Sequence, residues 1–171
     1  NAIYSAQRER SVGLGVMGWH SLLQSRMIPF ESARARGLNI NVFDHIDKMT
    51  ERASLQLGKE RGPCPDAEER GFTHRFSHRT AVAPTATISV ICGSVSPGIE
   101  TINANVFLHK TLNGSGTVRN RNLEKLLVKY GQNTQEVWSS ITLNKGSVMH
   151  LDFLSDEEKG VFKTAWEINP Y

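Results

Sequence analysis

A proline in the middle of the chain, Pro84, constrains the fold more than any other single residue among the 171. Residues 80–83 before it are small or β-branched, which favours a buried strand. Because proline lacks an N–H donor and fixes φ, regular strand pairing is expected to end there. The residues that follow carry small side chains and hydroxyls and no carboxylate: Thr85, Ala86, Thr87, Ile88 and Ser89. The pattern predicts a buried strand that leads into a polar loop.

Residues 85–89 permit two interpretations. Backbone N–H groups that converge at a turn or a helix N-terminus, with hydroxyls beside them, bind phosphate without a lysine. A polar turn with no ligand has the same composition and is the more common outcome after a strand. Composition alone leaves both interpretations open.

The overall composition is typical of a globular protein, with 39% hydrophobic and 22% charged residues. No apolar run reaches the length of a membrane span, and the amino end lacks the apolar core of a signal peptide. A net charge of +3 is too balanced to predict nucleic-acid binding. The two cysteines, Cys64 and Cys92, are too few for a disulfide framework. We therefore expect a cytoplasmic protein that binds neither membranes nor nucleic acid.

Helices are predicted to outnumber strands. Apolar spacing favours helices over about 12–24 and about 30–61, with Gly37 as a point of bending or division and Gly62-Pro63-Cys64-Pro65 as the stop. Residues 66–79 are interpreted as a surface connection with a short helical turn, and 93–116 as an ordered loop. Capping patterns predict three further helices. The first runs from Asn120 or Asn122 to Tyr130 with its leucines inward, the second follows a capping box at Asn133-Thr134-Gln135-Glu136 and runs to about 143, and the third follows a capping box at Ser155-Asp156-Glu157-Glu158 and runs to about 168. The inward leucines of the first helix are Leu123, Leu126 and Leu127.

Two short motifs match site patterns without the structural context that those sites need. Gly13 to Gly18 fit G-x-G-x-x-G, but the residues before them make a poor buried strand and a helical pattern follows. We therefore reject a dinucleotide site and expect close helix packing through small residues. His74 and His78 have the spacing of zinc ligands, but only Cys64 lies nearby, so we predict no metal site.

Glu100 is a charged residue in an otherwise neutral loop. We expect it to form a structural ion pair with Arg79 or His109 rather than to act in catalysis. Elsewhere in the sequence, no serine, histidine and aspartate follow the order of a catalytic triad, and no pair of carboxylates stands out. The residue pattern therefore assigns no catalytic residue.

The segment Pro84-Thr85-Ala86-Thr87-Ile88-Ser89, followed by Gly98-Ile99-Glu100, closely resembles the substrate-phosphate loop in the catalytic large subunit of ribonucleotide reductase. Further segments resemble this family in the same order: Gly13-Leu14-Gly15-Val16-Met17-Gly18, Glu60-Arg61-Gly62-Pro63-Cys64-Pro65, 146–154 and Val161-Phe162-Lys163-Thr164-Ala165. The resemblance thus covers nearly the whole chain. The segment His150-Leu151-Asp152-Phe153 resembles phage enzymes, and it resembles class I diphosphate reductases more than the cobalamin-dependent class.

The resemblance implies an α/β fold in which residues 1–171 form a single partial domain, a helix-rich portion of a ten-stranded α/β barrel with few strands. It implies that Thr85, Ala86, Thr87, Ile88 and Ser89 bind the substrate phosphates. The implied activity is that of a ribonucleoside-diphosphate reductase, which removes the 2′-hydroxyl of a ribonucleotide by radical chemistry.

The resemblance also implies partners and cofactors. The partners are the remaining portion of the large subunit, a radical-generating small subunit, a ribonucleoside diphosphate and a reductant of the thioredoxin or glutaredoxin type. A di-metal centre with a tyrosyl radical is expected on the small subunit. We expect dNTP and ATP effectors on the complete large subunit and no cofactor in this chain.

The chain also departs from the family pattern. The central-loop motif Asn-x-Cys-x-Glu and the tyrosine pair that carries the radical between subunits are absent, and Cys64 and Cys92 match positions outside the redox set. Thr101 stands where the family commonly has proline. We therefore expect part of a carboxyl-side middle region, from a split gene or a longer chain, that is not competent alone. A non-catalytic nucleotide- or phosphate-binding module and a structural fragment remain the alternatives.

Overall fold

The computed structural model describes residues 1–111 and 114–169. Within these residues the chain forms eight helices and one two-stranded sheet: α1 (Ala2–Glu9), α2 (Trp19–Ser25), α3 (Ala33–Arg61), α4 (Pro65–Glu68), α5 (Ala86–Ile91), β1 (Val106–Thr111), β2 (Gly114–Arg119), α6 (Arg121–Lys129), α7 (Gln135–Leu143) and α8 (Asp156–Val161). The chain divides into two compact units. The first is Asn1–Val16 with Gly37–Ala83, and the second is Met17–Arg36 with the described residues from Pro84 onward. That residues 1–171 form a single partial domain stays a prediction.

The first unit is organised around α3. The helix runs through Gly37 without interruption, so this glycine does not divide it. It ends at Arg61, and Gly62 adopts a left-handed φ of 79°, as the stop signal predicted. The connection that follows contains the short helix α4 and returns to α3, where the Arg75 N–H donates to the Ser54 carbonyl at 3.0 Å. The predicted surface connection with a helical turn is therefore confirmed.

The structure has no helix over residues 12–18, so the helix predicted over about 12–24 is wrong over its first half. Leu14 forms a parallel bridge with Thr80 and accepts a hydrogen bond from the Ala81 N–H at 3.1 Å. A Cβ at Gly15 would lie 2.5 Å from the Ala81 carbonyl oxygen. The glycines thus permit a close approach of two extended chains rather than the expected helix packing.

The buried strand predicted over residues 80–83 is reduced to this single bridge. Its side chains are exposed, and no second strand pairs with it in the described part of the chain. The small and β-branched residues favour an extended backbone, but a strand is buried only where other segments pack on both sides of it.

The core of the second unit is formed by the helices of the last third and the start of β1. Its buried hydrophobic residues are Val106, Leu123, Leu126, Leu127, Trp138, Ile141, Val148, Leu151, Leu154, Val161 and Phe162. The prediction that the leucines of α6 point inward is confirmed.

The hairpin of β1 and β2 lies in the segment predicted as an ordered loop, so that prediction is wrong over most of its second half. Its register pairs Phe107 with Val118 and His109 with Gly116, which places these four residues on one face. Two glycines and a serine at the start of β2 concealed the strand pattern. Residues 112–113 of the predicted loop lie outside the described residues.

Two predicted helix caps are present in the second unit. The Asn120 side chain accepts a hydrogen bond from the Asn122 N–H at 3.0 Å and caps α6, which decides between the two candidates. Ser155 and Glu158 form the capping box of α8. These two helix starts were therefore readable from sequence.

The other two expectations for the last third need correction. The predicted capping box of α7 begins one residue too early: the N-cap is Thr134, which accepts from the Val137 N–H, and valine at the third helical position cannot complete a box. α8 ends at Val161 rather than near residue 168. The Glu167 carboxylate accepts hydrogen bonds from the Thr164 N–H at 2.7 Å and from the Thr164 hydroxyl at 2.8 Å. This local turn at residues 164–167 takes the place of the predicted helix.

Candidate functional site

The residues predicted to bind phosphate form the start of α5 rather than a loop. Thr85 is its N-cap residue and has a left-handed φ of 46°, which is unusual for a β-branched residue. The first helical turn then presents the N–H groups of Ala86, Thr87 and Ile88, which have no acceptor inside the helix. Within residues 1–111 and 114–169, none of these three N–H groups has a hydrogen-bond partner.

The three hydroxyls of this segment have different environments. Thr85 Oγ1 accepts a hydrogen bond from the Gly98 N–H at 2.7 Å. Ser89 is 3% exposed, and its hydroxyl donates to the Ala86 carbonyl at 3.0 Å. Thr87 is exposed, and in the described part of the chain its hydroxyl is the one of the three without a partner. Thr85 and Ser89 therefore shape the segment, and Thr87 offers a free hydroxyl.

A cavity of about 500 Å³ lies beside the first turn of α5. Ala86, Thr87 and Ser89 form part of its wall, and the face of the hairpin that carries Phe107 and His109 forms another part. None of the described residues that line the cavity is a carboxylate. The polar groups of the described lining are hydroxyls, amides, one histidine and one arginine.

The opposite face of the hairpin has a different role. Arg119 pairs with Val106, which is buried in the core. Its guanidinium lies 4.9 Å from the centre of the Trp138 ring and donates to Gln135 Oε1 at 2.8 Å. Although Arg119 also contributes to the cavity lining, its charged group is engaged with α7.

The predicted ion pairs of Glu100 do not form in the described residues. Glu100 is exposed, and Arg79 instead pairs with Asp47 at 2.8 Å. Among these residues no group of three or more histidine, cysteine and acidic side chains is placed to hold a metal ion. Cys64 is buried and Cys92 is exposed. No helix in the described ranges combines the length and the apolar character needed to cross a membrane.

Sequence reasoning missed His20, which is fully buried at the start of α2. Its Nδ1 accepts a hydrogen bond from the Ile102 N–H at 3.1 Å, and its ring meets Phe30 edge to face at 5.5 Å. Burial lowers the pKa of His20 to about 4, against the opposing effect of a hydrogen bond to the Val161 backbone. The one available signal was a histidine placed next to the tryptophan that opens an otherwise apolar helix face.

Comparison with known proteins identifies the family. The family model described as ribonucleotide reductase, barrel domain, matches residues 1–74 and 66–171. The ribonucleoside-diphosphate reductase large subunit of Invertebrate iridescent virus 3 is 44% identical over 98% of this chain and 27% of its own length. That of Invertebrate iridescent virus 6 is 46% identical over 98% of this chain and 18% of its own length.

A solved structure agrees with the sequence matches. The class Id ribonucleotide reductase alpha subunit of Actinobacillus ureae is 41% identical, with a TM-score of 0.83 over 94% of this chain and 29% of that chain. The chain thus spans less than a third of each of these proteins, and its helix-rich fold with one short sheet is part of an α/β barrel. This chain belongs to the ribonucleotide reductase barrel-domain family.

Proposed function

We propose that this chain is the portion of a ribonucleoside-diphosphate reductase large subunit that anchors the phosphates of the substrate. The observation that carries this proposal is the first turn of α5, which has three unpaired N–H groups and in which Ala86 and Thr87 line a cavity without carboxylates among its described residues. Family membership supports the assignment of the reaction, the reduction of ribonucleotides to deoxyribonucleotides for DNA replication. The chain contributes to this oxidoreductase and requires the rest of the subunit for turnover.

Residues 85–89 have two different roles in phosphate binding. The N–H groups of Ala86, Thr87 and Ile88 donate to phosphate oxygens, as does the Thr87 hydroxyl. Thr85 and Ser89 hold the backbone in shape through their hydrogen bonds to Gly98 and Ala86. Because no cation takes part, binding depends on the direction of the donors, which fixes the phosphate and positions the ribose for the radical step.

The remaining machinery lies outside these 171 residues in this proposal. The Asn-x-Cys-x-Glu loop belongs to the remaining portion of the large subunit, and so do the sites for dNTP and ATP effectors. A class I small subunit, with a di-metal centre and a tyrosyl radical, supplies the radical, and a thioredoxin- or glutaredoxin-type protein supplies electrons. The enzyme acts in the cytoplasm, where ribonucleoside diphosphates are available.

The replacement Thr87→Val in the complete large subunit tests the proposal. Valine keeps the shape of threonine and removes the hydroxyl, and the loss of a hydrogen bond to a charged group is expected to raise KM for a ribonucleoside diphosphate about tenfold. The measurement is steady-state reduction with the small subunit, together with calorimetric binding of the diphosphate.

Thr117→Val is the matched control, because Thr117 is exposed and is not among the residues that line the cavity. It is expected to leave KM unchanged. Equal KM values for Thr87→Val and wild type would overturn the proposed phosphate site. Normal diphosphate binding without any turnover in the complete subunit would favour the non-catalytic binding module.

A further inference from the structure

The turn from Gly18 to Ser21 binds the loop that follows α5. The Gly18 N–H donates to the Ser96 carbonyl at 3.0 Å, and the Trp19 N–H donates to the Gly98 carbonyl at 3.3 Å. Ser21 and Ser96 exchange two hydrogen bonds, in which each backbone N–H donates to the hydroxyl of the other residue, at 3.1 and 2.8 Å. Four hydrogen bonds therefore hold the start of α2 against this loop.

His20 binds the far end of the same loop. Its Nδ1 accepts from the Ile102 N–H, so the proton of the neutral ring is on Nε2. Ile102 and the next two residues, Asn103 and Ala104, line the cavity. The loop 96–102 is thus fixed by Ser21 at its start and by His20 at its end.

The loop 96–102 in turn holds the cap of α5. The Gly98 N–H donates to Thr85 Oγ1 at 2.7 Å, and Thr85 has the left-handed backbone from which the first turn of α5 starts. A non-glycine residue persists in this conformation only where surrounding contacts impose it. The order of contacts runs from α2 to the loop 96–102, then to Thr85, and then to the N–H groups of α5.

We propose that His20 is a positioning residue for the substrate phosphates, which holds the loop 96–102 against Thr85 and so fixes the direction of the α5 N–H donors. This inference rests on the proposed function. His20 is fully buried and does not line the cavity, so it acts through the loop and not by contact with substrate.

The test compares His20→Phe with His20→Asn in the complete large subunit. Phenylalanine keeps the ring contact with Phe30 and removes the acceptor, whereas asparagine loses the ring and places an oxygen where Nδ1 lies. We expect His20→Phe to raise KM for a ribonucleoside diphosphate about tenfold, with a smaller change in kcat. We expect His20→Asn to have KM within about twofold of wild type.

A purely structural role would produce a different pattern, in which KM follows the loss of thermal stability and both variants are impaired alike. That pattern, or an unchanged KM in His20→Phe, overturns the inference. If Thr87→Val raises KM and His20→Phe does not, the phosphate site stands and the positioning role fails. If Thr87→Val has no effect, the proposed function itself fails.

A second pair of variants serves if His20→Phe does not fold. Ser96→Ala removes the hydroxyl that accepts the Ser21 N–H, and Ser96 is not among the residues that line the cavity. Ser25→Ala is its control, because Ser25 is an exposed residue of α2 whose hydroxyl donates to the Leu22 carbonyl. We expect Ser96→Ala to raise KM about threefold and Ser25→Ala to leave it unchanged. Equal KM values for the two serine variants overturn the inference.

Discussion

Two helices of the second unit begin in opposite ways. α8 is capped by its own first turn, where the Ser155 and Glu158 side chains bond to each other's backbone N–H groups. α2 begins at Gly18 without a side-chain cap, and its first N–H groups are bound by Ser96 and Gly98, about 75 positions further along the chain. A local cap stabilises one helix, whereas a distant cap makes two segments depend on each other.

The largest loss of stability is expected when the buried side chain that anchors α2 is truncated. Leu23 is fully buried, and Leu23→Ala is expected to lower the free energy of unfolding by about 2–5 kcal/mol. Because the caps of α2 come from the loop 96–102, hydrogen exchange should accelerate in both segments. Mass spectrometry of amide exchange in the complete subunit measures this. Leu143→Ala, at a residue that is 84% exposed, is the control, and acceleration confined to α2 would contradict the coupling.

The second-largest loss of stability is expected from protonation of His20 as the pH falls. Its pKa is about 4 in the folded protein and about 6.5 in an unfolded chain, so the unfolded state binds more protons between these values. The stability contributed by the neutral ring is therefore complete above about pH 6.5 and is lost as the pH falls toward 4. The loss is roughly 3 kcal/mol, at about 1.4 kcal/mol per unit of pH.

The variant His20→Asn isolates this contribution, because asparagine does not titrate. Thermal unfolding of wild type and His20→Asn across pH 4–8 should give stability curves that converge as the pH falls. Curves that stay parallel across this range would show that the pKa of His20 is the same in the folded and unfolded states, which contradicts its lowering by burial.

The smallest loss of stability is expected when the local cap of α8 is removed. Ser155→Ala removes one side of the α8 capping box and is expected to cost about 1 kcal/mol. Exchange should accelerate within α8 and leave the loop 96–102 unchanged, since the lost bonds lie inside one turn. Ser155→Asp, which restores a capping oxygen, should recover most of the loss. Acceleration that spreads to the loop would erase the difference between the two helix starts.

The candidate site shows the same division between local and distant causes. The sequence identified residues 85–89 through their composition and their family resemblance, because hydroxyls and small side chains in a neutral segment are a local property. It did not show that Thr85 and Ser89 use their hydroxyls internally while Thr87 does not. That difference depends on Gly98 and on the helical geometry of α5, which no local pattern encodes.

The sequence by itself determined the long helix α3, its stop at Gly62, the caps at Asn120 and Ser155, and the leucine face of α6. These features depend on contacts within a few residues, so periodicity and capping chemistry suffice to predict them. Only the tertiary structure decided the extended pairing at Leu14, the hairpin and the binding of His20 to Ile102. Their hydrogen bonds or burial depend on partners elsewhere in the chain, and the free energy of such contacts exists only once the chain has folded.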